Sequence, residues 1–119
     1  MIINMSKEDL SDVLEIEKQS YPYDPWNEDM FLREINNKDI GDIFVYKQDN
    51  ELIGYCGIWY MFENCDLTTL TIKQSQRNKG YGQRLLNYVV DQALLHNCEY
   101  LHLEVRTDNY EAINLYRKN

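Results

Sequence analysis

Apolar runs such as Leu85-Leu86 and Ala93-Leu94-Leu95 fall far short of the roughly 20 residues that a bilayer-spanning helix needs, so a soluble protein is expected. The opening Met1-Ile2-Ile3-Asn4-Met5-Ser6 lacks the basic segment, the long apolar segment and the small-residue cleavage site of a secretory signal, and the expected location is the cytoplasm. Cysteine is scarce: Cys56, Cys65 and Cys98 form an odd, scattered set without the close pairing of a zinc site or a redox dithiol. They are expected to be reduced and structural, and no metal is expected. Basic residues are few, 12 against 20 acidic ones, for a formal charge of −8. Such a surface repels phosphate backbones and favours a cationic partner, so direct binding of nucleic acid is not expected. Repeats and low-complexity tracts are also missing, and the expectation is one domain over residues 1–119.

With only two prolines, Pro22 and Pro25, and five glycines, the breaks between segments are easy to place. Ile2 to Met5 reads as a short strand, and Ser6-Lys7-Glu8-Asp9 has the spacing of a capping box that opens a helix to about Gln19. Leu10, Val13, Leu14 and Ile16 give that helix its apolar face. Each proline disfavours helical geometry at the residue before it, so Tyr21 to Trp26 breaks the helix, and Asn27 caps a shorter one to about Ile35. Ile43 to Tyr46 and Leu52 to Tyr55 flank the turn pair Asp49-Asn50 and predict a hairpin. Leu67 to Ile72 predicts another strand. The period then changes: Leu85, Leu86, Val89, Val90, Ala93 and Leu94 mark an amphipathic helix ending near Asn97. Tyr100 to Val105 alternates again, with Leu101, Leu103 and Val105 on one face and Tyr100, His102 and Glu104 on the other. A last helix is expected from about Asn109. The order predicts a mixed α+β (α/β) fold.

The most informative segment joins the strand ending at Ile72 to the helix starting near Gly82: Gln76-Arg77-Asn78-Lys79-Gly80-Tyr81-Gly82. Glycines let a backbone turn sharply and approach a ligand closely, so successive N–H groups can converge on a phosphate at a helix N-terminus. Arg77 and Lys79 add positive charge in an acidic chain. A dinucleotide fingerprint would need a third glycine where Leu85 stands, and a P-loop would need a Gly-Lys-Ser/Thr ending that is absent. Arg77-x-x-Gly80-x-Gly82 instead resembles the pyrophosphate-binding motif of the GNAT acetyltransferase superfamily. Downstream, Leu103-Glu104-Val105-Arg106, followed by Asn109, Ala112, Ile113, Leu115 and Tyr116, resembles the bacterial ribosomal-protein alanine N-acetyltransferases. Pro25-Trp26 and Gly54-Tyr55 extend the similarity over essentially the whole chain.

The resemblance implies a GNAT-type acyl-CoA N-acyltransferase fold, a central, mostly antiparallel sheet flanked by helices. It implies acetyl-CoA as cosubstrate, and direct transfer of acetyl to the N-terminal alanine of a small-subunit ribosomal protein, a basic acceptor suited to an acidic enzyme. In that reading Asn78, Lys79, Gly80, Tyr81, Gly82 and Gln83, with Arg77, hold the pyrophosphate. Leu70, Thr71 and Ile72 hold the pantetheine arm as an added strand, with an N–H there polarising the thioester carbonyl. Glu104 is the general base, Tyr116 protonates the leaving thiolate and Asn109 hydrogen-bonds the cosubstrate. Tyr116 follows Asn109 by seven residues, two turns of the expected helix. Family members continue beyond this point through a Gly-Phe turn into two more strands, which are missing from a chain that stops at Asn119. The expectation is therefore an open sheet edge and either a monomer or a strand-mediated dimer. Two alternatives stay open: acetylation of a small-molecule amine, and a non-catalytic module that binds coenzyme A or a protein.

Overall fold

The computed structural model describes residues 1–105 and 109–114, with side chains through residue 103. Its six-stranded sheet runs in chain order: β1 (Ile2–Asn4), β2 (Gly41–Gln48), β3 (Glu51–Met61), β4 (Asn64–Ile72), β5 (Tyr100–Val105) and β6 (Asn109–Asn114). Every neighbouring pair is antiparallel except β4 and β5. The helices are α1 (Leu10–Ser20), α2 (Glu28–Asn36) and α3 (Tyr81–Leu95), with short 3₁₀ turns at Lys7–Asp9 and Gln74–Gln76. No helix among the described residues is long and apolar enough to cross a membrane.

Local chemistry explains most of these elements. Asp49 and Asn50 both adopt positive φ, 54° and 65°, which a tight β2–β3 turn requires. The Asn27 side chain accepts from the Met30 N–H at 3.0 Å and starts α2. The Asp9 carboxylate accepts from the Ser6 N–H at 2.9 Å and pairs with Lys47 at 2.6 Å. Burial opposes its ionisation, but Lys47 and Ser6 outweigh that cost and hold its pKa below the ordinary value. Asn97, at φ 63°, ends the α3 segment with a left-handed residue.

The sheet is covered on both faces. Along β2, Ile43 and Val45 join Leu10, Val13, Ile16 and Phe31 in one core, while Phe44 and Tyr46 join Leu85, Val89 and Ala93 in the other. Successive strand residues point to opposite faces, so α1 and α2 cover one face and α3 the other. This double burial is why Ile43 to Tyr46 reads as a continuous apolar run rather than an alternation.

Two expectations are corrected. Residues 109–114 form a strand, not the start of a helix: β6 pairs with β5 in register from Tyr100↔Asn114 to Val105↔Asn109. Pairing there satisfies the backbone groups on the outer side of β5, which a helix could not reach, and it covers the edge expected to be open. The cysteines are not all free. Cys65 and Cys98 are joined as a disulfide, with Cα atoms 6.2 Å apart, and Cys56 is free and buried. Their separation of 33 residues hides the pairing in the sequence, and the parallel register Cys65↔Leu101 brings the start of β5 alongside β4.

The inner face of α1 carries a carboxyl group where an apolar side chain would be expected. Glu17 is fully buried, accepting from the Tyr55 hydroxyl at 2.6 Å and from the Trp26 N–H at 2.8 Å. Burial, and then the neighbouring Glu17, raise the pKa of Tyr55 far above the ordinary tyrosine value, so its hydroxyl stays a donor. Removing that donor leaves a buried carboxyl group short of a partner. Tyr55→Phe should therefore lower stability by about 2 kcal/mol in urea unfolding, whereas Tyr23→Phe, at a side chain 98% exposed, should change nothing measurable.

Candidate functional site

The sheet opens in its middle. Strand β4 pairs with β5 only from Asn64↔Tyr100 to Leu67↔Leu103, yet β4 continues to Ile72. On the other side, β3 stays paired with β4 as far as Gly54↔Ile72. Residues 68–72 thus have a strand on one side and an opening on the other. The β3–β4 register steps from Gly57↔Thr69 to Ile58↔Leu67, which leaves Thr68 as an extra residue, a β-bulge where the strands part. The bulge changes which residues face which helix. Cys65 and Leu67 belong to the α3-side core and Leu70 and Ile72 pack there too, so Thr69 and Thr71 face α1 and α2. Thr68 lies on that face as well, because a Cβ added at Gly57 would meet both Thr68 Oγ1 and Ile43 of the α1/α2-side core.

At the far end of β4 the chain enters the glycine segment. Asn78 and Gly80 both have left-handed backbones, φ 64° and 88°, and α3 follows at Tyr81. Two left-handed residues immediately before a 15-residue helix expose its first N–H groups at a concave corner, the geometry that binds anions. Gly82 has the room a ligand needs: a Cβ built there would meet only Ile72 Cγ1, at an ordinary 3.7 Å. Lys79 donates to Gln76 Oε1 at 3.2 Å and stays exposed. Arg77 is engaged within the protein, its Nε donating to the Ile72 carbonyl at 3.0 Å and its Nη2 to Ser20 Oγ at 3.1 Å. It braces the corner against the end of α1. Arg84, not foreseen from the sequence, donates to the Tyr46 hydroxyl at 3.0 Å and lies over the Tyr81 ring.

The α1–α2 connection, residues 21–27, comes down on the threonine face. Tyr21 Oη and Thr71 Oγ1 share a hydrogen bond of 3.0 Å, and Trp26 is held by Glu17. Tyr55, the other partner of Glu17, is opposite Thr71 in the β3–β4 register. Nearby, Trp59 Nε1 donates to Glu34 at 2.8 Å; burial raises the Glu34 pKa against the hydrogen bond from Trp59. Thr69 is buried, 4% exposed, and its hydroxyl, like that of the less buried Thr68, has no hydrogen-bond partner among the described residues. Periodicity could not reveal this polar face, because a bulge breaks the alternation on which a sequence reading of β4 depends.

The structure therefore gathers Leu70, Thr71 and Ile72 with the segment from Arg77 to Gln83 along one continuous edge and corner. Glu104 is the first residue of β5 beyond its last pair with β4, at the mouth of the opening, and its side chain lies outside the described residues. Asn109 stands on β6 opposite Val105 rather than at a helix N-terminus, and Tyr116 lies outside the described residues. His102 bonds Asn64 Oδ1 at 2.9 Å, and His96 stacks on Tyr60 with centroids 3.6 Å apart.

The fold is shared with known proteins. Residues 10–119 match the Acetyltransferase (GNAT) family. A Bacillus subtilis protein provisionally named a [ribosomal protein bS18]-alanine N-acetyltransferase is 35% identical over 115 residues, 97% of this chain and 76% of its own. Among solved structures, the ribosomal-protein-S18-alanine N-acetyltransferase of Escherichia coli superposes with a TM-score of 0.77 at 22% identity, covering 92% of this chain and 68% of that one. The PaiA N-acetyltransferase of Thermoplasma acidophilum, solved in complex with coenzyme A, gives 0.75 at 20% identity, over 92% and 80%. The chain belongs to the acetyltransferase (GNAT) family of N-acetyltransferases.

Proposed function

We propose that this protein transfers acetyl from acetyl-CoA to the N-terminal alanine of a small-subunit ribosomal protein, working in the cytoplasm without a metal. The observation that carries the reading is the unpaired edge of residues 68–72 running into the corner at Asn78 to Gln83. A corner of free N–H groups suits a diphosphate, and the open space at Gly82 suits its close approach. The edge of Leu70, Thr71 and Ile72 offers main-chain groups at strand spacing to an extended amide-bearing arm, the Ile72 carbonyl excepted because Arg77 holds it. Similarity to a bS18-alanine N-acetyltransferase supports the choice of acceptor, and so does a charge of −8, which attracts cationic proteins.

Transfer needs a neutral amine, a stabilised oxyanion and a proton for the leaving thiolate. An N-terminal amine has a pKa near 8, so a single carboxylate, acting directly or through water, suffices to free it at neutral pH. Glu104, where β5 leaves β4, takes that proton. A backbone N–H of Leu70 to Ile72 holds the oxyanion formed as the amine attacks the thioester carbonyl. Tyr116 protonates the departing thiolate, and Asn109 bonds the cosubstrate.

Three outcomes are expected. Peptides differing only in their first residue, incubated with acetyl-CoA, should carry acetyl on an N-terminal alanine by mass spectrometry. Acetylation of lysine side chains or free polyamines alone overturns this acceptor, and thermal stabilisation by acetyl-CoA without turnover points to a non-catalytic module. Glu104→Gln should cut turnover at least tenfold and preserve coenzyme A binding; unchanged turnover removes Glu104 from the mechanism. In Gly82→Ala, a helix gains roughly 0.5–1 kcal/mol from alanine and the new methyl has room. Folding should be unchanged or slightly stabilised while calorimetric affinity for coenzyme A falls about tenfold, and an unchanged affinity takes Gly82 out of the diphosphate site.

A further inference from the structure

Thr69 combines two features that ordinary packing does not explain. It lies beside the bulge where β5 leaves β4, and it is the more deeply buried of two threonines there whose hydroxyls have no hydrogen-bond partner among the described residues. A buried hydroxyl with no partner costs about 1–3 kcal/mol, and such groups are few in folded proteins, a catalytic or binding role being one reason they are kept. Valine would fill nearly the same volume without that cost. The surroundings indicate what arrives. The α3 side of β4 at this level is closed by the packing of Leu70, Ile72 and Leu85. A thioester held along the β4 edge is therefore open to attack from the α1/α2 face, where Thr69 and Thr71 stand. The Thr71 hydroxyl is already bonded to Tyr21.

From this we infer that the Thr69 hydroxyl is the acceptor-amine site, taking a hydrogen bond from an N–H of the incoming primary amine and aiming its lone pair at the thioester carbonyl. The inference rests on the proposed function and deepens it by naming the residue that recognises the reacting group itself. Burial contributes to the chemistry. An amine drawn into a site shielded from water loses solvation in its charged form, so its neutral form is favoured before any base acts. Thr69 does not itself transfer a proton: the amine proton leaves to the base, the C–N bond forms, and the C–S bond breaks with its electron pair on sulfur.

The test compares wild type, Thr69→Val and Thr69→Ser, each saturated with coenzyme A. Calorimetry measures binding of an N-terminal alanine peptide and of its analogue lacking only the α-amino group. In wild type and Thr69→Ser the amine should bind about tenfold tighter than the analogue. In Thr69→Val the two should bind equally, with coenzyme A affinity unchanged and stability equal to or above wild type. With acetyl-CoA, Thr69→Val should raise the peptide KM about tenfold with a smaller change in kcat. If Thr69→Val keeps the wild-type preference for the amine, or is less stable than wild type with KM unmoved, the hydroxyl is structural and the inference is wrong. If wild type binds coenzyme A but shows no preference for the amine, the acceptor role of Thr69 is overturned while the cosubstrate site stands. If wild type does not bind coenzyme A, the proposed function fails with it.

Discussion

The rest of this structure depends on one constraint: the backbone of β4 from Thr68 to Ile72 lies within the sheet but has a strand on only one side. Interior N–H and C=O groups are almost always paired, so a sheet that parts beside a middle strand is costly unless the exposed groups have another use. Here the neighbouring features all serve to hold the gap open. The bulge at Thr68 turns hydroxyls toward α1 and α2, and Arg77 takes up the carbonyl at the end of the strand. The Tyr55, Glu17 and Trp26 bonds secure the segment that overlies the threonine face. A buried carboxyl group is an expensive way to tie down a loop, and it is tolerable only because its partners are fixed by the sheet and by main chain.

Elements set by local chemistry were legible in the sequence. The Asp49-Asn50 turn, the Asn27 cap, the α3 stripe of Leu85, Val89 and Ala93, and the alternation of β5 each depend on residues within a few positions of one another. The glycine corner was legible for the same reason, since a left-handed backbone at Gly80 and open space at Gly82 are properties of the residue type. Features decided by distant partners were not. Residues 109–114 carry enough helical spacing to suggest a helix, but the outer edge of β5 supplies hydrogen bonds that only a strand can take. The Cys65–Cys98 pairing depends on a parallel register, which the sequence does not display.

Within the site the same division holds. Arg77 reads in the sequence as a cation for phosphate, whereas in the fold its guanidinium bonds the Ile72 carbonyl and Ser20. A charge count records the group and misses its orientation. Glu17 reads as one polar position on an amphipathic helix, and only the packing of α1 against Tyr55 shows it to be interior. Thr69 looks like any β-former until the bulge assigns it a face.

The bracing by Arg77 ties the two halves of the cleft together. A single guanidinium spans the exit of β4 and the final turn of α1, so any anion that competes for it loosens the root of the loop over the threonines. Thermodynamic reciprocity then requires the converse: whatever stiffens that loop changes the grip on the anion by the same factor. Two binding sites linked in this way would need no lid to sense one another.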